Sequence, residues 1–179
     1  MVINRSLVID LSSRKYFTNN PEKSMTKLLD EMLSVEISTR INSQATKFFD
    51  NAYLAALAIE DTIYVQGFLV VPGIPDKPIE YSWIELGERI IDPTFPHIGL
   101  TAENLYYFPA QSLSLKQITA IIEESKEDYP LDDPLPIYGD LPYEYYGDLM
   151  LGGQDYQTAY LLALDKCREL NPPQIEETK

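Results

Sequence analysis

A chain of 179 residues with 45% hydrophobic content can bury one sizeable core but is short for two full ones, so a single domain spanning 1–179 is expected. Lys and Arg number 14 against 28 Asp and Glu, and the resulting formal charge of -14 repels phosphate backbones and anionic lipid, which argues against direct nucleic-acid or membrane binding. The lone cysteine, Cys167, excludes an intrachain disulfide and a Cys-rich metal centre.

At the start, MVINRSLVIDLSSRKYF shows no long apolar stretch followed by a small-residue cleavage site. No uncharged apolar run reaches the roughly 18 residues of a membrane span. With a single thiol, these features fit a reducing cytoplasm. Val2 to Leu11 alternates apolar and β-branched residues as an edge strand or arm, and Asn19-Asn20-Pro21 ends it. Ser24 is placed to cap a helix running to about Ser34, with Met25, Leu28, Leu29 and Met32 on one stripe. A second helix is predicted from near Ser43, its buried face carrying Ala45, Phe48, Phe49, Ala52, Ala56 and Ile59. The alanines at 52, 55, 56 and 58 let a sheet approach closely, which makes this the central helix.

Ile63 to Val71 reads as a strand closed by Pro72-Gly73. Ile79 to Leu86 and Arg89 to Asp92 read as a hairpin joined at Gly87. Asn104 to Phe108 is predicted as a further strand, and Ser114 opens a helix with Ile118, Ile121 and Ile122 inward. Residues 126–154 are dense in Pro, Tyr and acid and hold two copies of Tyr-Gly-Asp-Leu; prolines 130, 134, 136 and 142 predict a wrapping loop without long regular structure. A last helix is expected from about Asp155 to Leu170, with Tyr156, Tyr160, Ala163, Leu164 and Cys167 on one side, then a flexible tail at 171–179.

From Phe48 to Phe95 the chain reads FFDNAYLAALAIEDTIYVQGFLVVPGIPDKPIEYSWIELGERIIDPTF. A helix leads into a strand ending near Gly67, then a Tyr-Ser-Trp strand, then Ile-Asp-Pro-Thr. This order, over about a quarter of the chain, resembles the core of the transglutaminase-like and papain-like thiol enzymes. The resemblance implies an α+β fold with a central helix packed on a mostly antiparallel sheet and flanking helices. It also implies a triad, and the chain departs from it at two of three positions. Where the family places its nucleophilic Cys, at the start of the helix, stands Phe48; where it places His, just before a Trp, stands Tyr81. Asp92 remains.

Thiol catalysis needs a thiolate activated by an imidazole, with a third polar group orienting the ring. Phenylalanine has no nucleophilic atom, and a tyrosine of reference pKa about 10 is no base near neutrality. Shifting the register to Asp50, Asn51, Glu80 or Ser82 supplies no Cys-His pair. Cys167 reads as core and His97 as a surface loop residue. The chain cannot furnish the N and S ligands of a zinc site, and Asp132, Asp133 and Asp140 lack the spacing of a calcium loop. Neither a phosphate-binding Gly loop nor a dinucleotide fingerprint is present, so no cofactor is expected.

The expectation is a non-catalytic protein of this fold. It would bind a peptide, protein or small ligand in or near a cleft lined by Phe48, Tyr81, Trp83 and Asp92, unless its own aromatics fill that cleft. Asp92 also reads as the cap of a turn and Trp83 as a sheet-packing residue. A second possibility is an acidic interaction or inhibitor protein that engages a basic partner through Tyr143, Tyr145, Tyr146 and Asp148, against the plainer reading that these tyrosines cover their own sheet. A third is a carboxylate-based hydrolase using Glu80 with Asp92.

Overall fold

The β-branched and aromatic run at Ile63–Val70 forms the middle of the fold. In a computed structural model describing residues 27–73 and 77–172, it is strand β2, with seven of its eight residues buried. It pairs antiparallel with β3 (Ile79–Leu86) on one side and with β5 (Tyr106–Ser114) on the other. β4 (Arg89–Ile91) returns from β3 through Gly87-Glu88, where Gly87 takes a φ of 58° that suits glycine. A two-residue strand, β1 (Leu28–Leu29), pairs parallel with β4. The five-stranded sheet therefore runs β1-β4-β3-β2-β5 and is mixed, antiparallel except at β1. The fold is α+β.

Helices cover one face of this sheet. In α2 (Phe48–Ala58), Ala52, Ala55 and Ala56 are fully buried against Tyr64, Ile84 and Ile91, the close approach that small side chains permit. α4 (Leu115–Asp128) opens with a capping box: the Ser114 hydroxyl accepts from the Gln117 amide while the Gln117 side chain accepts from the Ser114 amide. Its Ile118 and Ile122 enter the same core. α5 (Gln154–Leu170) lays Tyr156, Ala159, Ala163 and Cys167 against Phe68 and Val70. Burying Phe68 and Leu69 contributes about 1.5–3 kcal/mol each. The opposite face, with Val65, Leu69, Tyr81, Trp83 and Ile90, is covered in part by Phe95 and Leu105.

Several boundaries differ from the sequence expectation. The first described helix is α1 (Glu31–Ile41), not a helix ending at Ser34. Asp30 caps it, accepting from the Leu33 amide, and Asp30 is itself held by the Ile90 carbonyl because Leu28 and Leu29 pair with β4. The expected stripe is consequently not the buried one: Leu28 and Met32 are 74% and 85% exposed, while Ser34, Ile37 and Ser38 face inward. Val2 to Leu11, Ser24 and Met25 lie outside the described residues, as does the tail from 173.

α2 starts at Phe48 rather than near Ser43, since the Asn51 side chain grips both the amide and the carbonyl of Gln44 and turns the chain before the helix. His97 lies in the short helix α3 (Phe95–Ile98) instead of a loop, although it is exposed. β5 continues past Phe108 to Ser114; it is an edge strand, and a bulge at Gln66/Gly67 falls beside Pro109, so the prolyl nitrogen is tolerated. Within 126–154 a hairpin forms, β6 (Tyr143–Tyr146) with β7 (Leu149–Gly152), turned at Gly147-Asp148. Gly147, at φ 66°, provides the turn that the prolines hid from view. Before the hairpin the chain lies against the core. Leu135 and Ile137 are buried, and Gln66 bonds both the amide (2.8 Å) and carbonyl (3.0 Å) of Ile137. Among the described residues no helix is long and apolar enough to cross a membrane.

Candidate functional site

α2 begins against the middle of β3, and that juncture decides what surrounds Tyr81. The Phe48 carbonyl accepts from the Ser82 hydroxyl at 3.0 Å, which fixes the head of the helix on the strand. From there the Phe48 ring stacks on Tyr81, with centroids 5.0 Å apart and planes at 30°. The Tyr81 hydroxyl in turn donates to the Asp92 carboxyl, 3.2 and 3.1 Å from its two oxygens. Phe48, Tyr81 and Asp92 thus meet in one cluster.

Asp92 has no exposure at all, and its carboxyl is enclosed by donors. Beyond Tyr81, it accepts from the Thr94 amide at 2.8 Å, the Phe95 amide at 3.2 Å and the Tyr107 hydroxyl at 2.8 Å. It both caps the turn after β4 and anchors two phenols. Burial pushes its carboxyl up to about 6, opposed by the bonds from Tyr107, Thr94, Tyr81 and Phe95, so it is an acceptor at neutral pH. Burial and then the Asp92 charge push the Tyr81 hydroxyl far up, and the Tyr107 hydroxyl likewise; both stay protonated as donors. The cluster holds no nucleophile and no group that exchanges a proton near neutrality except Asp92, which is sealed. Tyr81 is 2% exposed.

Trp83 lies two residues along β3 from Tyr81, on the same face, and does not touch the Asp92 carboxyl through any polar atom. Tyr107 joins the two places: its hydroxyl bonds Asp92 and its ring meets Trp83 edge-on at 5.1 Å. Past Trp83 the sheet face opens into a groove of about 800 Å³, lined by Leu28, Leu29, Ile90, Leu105, Tyr107 and Phe108 among others. Glu85 stands at its rim, ion-paired with Lys27 at 2.5 Å.

Glu80, on the other side of β3, lines a separate cavity of about 380 Å³ with Phe48, Phe49, Asp50 and Leu135. Burial and then Asp148 push its carboxyl up to about 7. Asp92 does not line that cavity, so the two carboxyls share no cleft in which to act on one bond. Among the described residues no group of three or more His, Cys, Asp and Glu side chains converges as a metal ion would need. His97 Nε2 lies 2.9 Å from the Ser43 hydroxyl.

The Tyr-rich segment divides. Tyr146 is buried, its ring 5.5 Å from Phe68 and 4.9 Å from Tyr160. Its burial removes it from any interaction surface, because strand alternation turns it inward. Tyr143, Tyr145 and Asp148 are exposed.

Tyr107, Asn51, Thr94 and Ser34 were not singled out from sequence. Asn51 bonds the Thr94 hydroxyl at 2.9 Å and Ser34 receives the Asp92 amide at 3.0 Å, so all four brace the same turn. A polar residue on the otherwise Ala-rich buried face of α2 was the one available signal, and it pointed to Asn51. Nothing local marks Tyr107. No protein-family model matches the chain, and neither a curated protein nor a solved structure is similar to it at a significant level.

Proposed function

We propose that this chain is a non-catalytic relative of the papain-like and transglutaminase-like enzymes and acts by binding a small apolar ligand beside the former catalytic centre. One observation carries the reading. The three residues that stand in the order of nucleophile, base and orienting acid, a half-buried Phe48 and the buried Tyr81 and Asp92, meet in one cluster, with the phenol on the acid as an imidazole would be. A ring fills the place of the sulfur. Such a site keeps the frame that holds a triad and performs neither attack nor proton transfer.

With Phe48 stacked on Tyr81, the ligand site of this reading is the groove over Trp83 and Tyr107, which has the volume and largely apolar walls of a small-molecule pocket. Trp83 is the only tryptophan and lines that groove. N-phenylnaphthylamine, a neutral apolar fluorophore, should bind with energy transfer from Trp83. Leu28→Glu, at an exposed rim position, should weaken it about tenfold by placing a charge in the groove. Absence of transfer would remove the ligand assignment. Turnover of a peptide or amine substrate that disappears in Asp92→Ala would remove the non-catalytic one.

A further inference from the structure

We infer that the β6–β7 hairpin and the loop leading into it form a docking face for a basic protein segment, one that presents Lys or Arg side chains. The inference stands on the hairpin and uses neither the Asp92 cluster nor the groove over Trp83. Strand alternation puts Tyr143 and Tyr145 on the side of β6 away from Tyr146. They are 42% and 75% exposed, and beside them Tyr138 and Leu141 are 54% and 75% exposed. Tyr138 meets Tyr143 edge-on at 6.2 Å, so these aromatics form a patch rather than scattered residues.

The patch is held as one piece. The Gly152 amide donates to the Tyr138 carbonyl at 2.7 Å, and Gly139 bridges to Gly152, which ties the loop to the hairpin. A Cβ on Gly152 would overlap the Asp140 carbonyl oxygen and the Tyr143 ring, so the close approach requires glycine. A face already ordered loses little freedom on binding.

Charge selects the occupant. From Glu127 to Asp165 the chain has no Lys, Arg or His, and Asp140 and Asp155 line the cleft beside the tyrosines. Exposed phenol faces attract cations, and guanidinium groups stack on them well. Next to the patch lies a cleft of about 310 Å³, lined by Gln111, Asp140, Leu141 and Asp155, suited to receive a long cationic side chain. An acidic partner, a second copy of this chain included, meets the same charge that a basic one complements.

Fluorescence anisotropy of a fluorescein-labelled oligo-arginine peptide tests this, at low and high salt. Binding should weaken with salt. Tyr143→Ser with Tyr145→Ser, which leaves the charge unchanged, should weaken it about tenfold. So should Asp140→Asn with Asp155→Asn at the cleft, whereas Glu123→Gln with Glu124→Gln on α4 removes as much charge and should change it less than about twofold. Tyr145→Ser alone, at the most exposed tyrosine, repeats the test if the double variant loses its fold by circular dichroism. Wild-type affinity in the tyrosine variants would overturn the inference. So would affinity that follows net charge wherever it is removed, or no binding of the peptide.

Discussion

At Asp92 one carboxyl satisfies four donors and, among the described residues, has no ion-pair partner, so its neighbours set both its charge state and its worth. The Tyr107 bond counts most among those that lower its pKa, because burial alone favours the neutral acid. Tyr107→Phe removes one charge-assisted hydrogen bond and should cost about 1.5–3 kcal/mol in denaturant unfolding. It should also raise the Asp92 midpoint above about 6, readable by carbon NMR of the carboxyl. Tyr107→Phe that left both stability and midpoint unchanged would mean that Tyr107 only fills space. Asp92 was legible in the sequence through its Pro-Thr context, and the structure gives it two roles at once, turn cap and phenol anchor. Tyr107 was not legible, because its partner is fifteen residues away and no spacing rule joins a strand residue to a turn on another strand.

At the scale of elements, the strands that bury both faces were the plainest to read. β2, β3 and the Gly87 turn follow from β-branched runs punctuated by glycine and proline. The misreadings have a common cause, tertiary partners that outcompete local signals. Leu28 and Leu29 have helix-compatible spacing but pair with β4. Tyr143 to Gly152 forms a hairpin despite its proline-rich approach, because Gly147 makes the turn and Tyr146 gains Phe68 as a neighbour. That hairpin sits on Glu80: a Cβ at Gly147 would lie 3.2 Å from a Glu80 carboxyl oxygen. The Glu80 carboxyl is raised from 4.5 to about 7, so the folded state holds its proton more tightly than the unfolded chain. Stability from this group is full below about pH 4.5 and is lost as pH rises through about 7. Asp92 behaves likewise over the lower range, from 3.8 to about 6. Glu80→Gln should therefore flatten the fall in unfolding midpoint between about pH 4.5 and 7, and Asp148→Asn should end that fall at lower pH. An unaltered pH profile in both variants would detach the hairpin from Glu80.

For the molecule as a whole, a net charge of -14 works in the same direction, since raising the pH adds repulsion to an already acidic surface. Composition and hydrophobic pattern made the α+β class readable, with the Ala-rich helix on its sheet. The stacking of Phe48 on Tyr81 was not readable, because it depends on how α2 seats on β3, a matter of three-dimensional register.

Phe48 and Tyr81 are proposed to occupy the places of a thiol and its base. This claim is tested by installing both through Phe48→Cys with Tyr81→His and following alkylation at position 48 against pH by mass spectrometry. The thiol should react at lower pH in the double variant than in Phe48→Cys alone, because an imidazole held by Asp92 stabilises the thiolate. Identical profiles in the two variants, both centred near the ordinary thiol value of about 8.5, would contradict the claim.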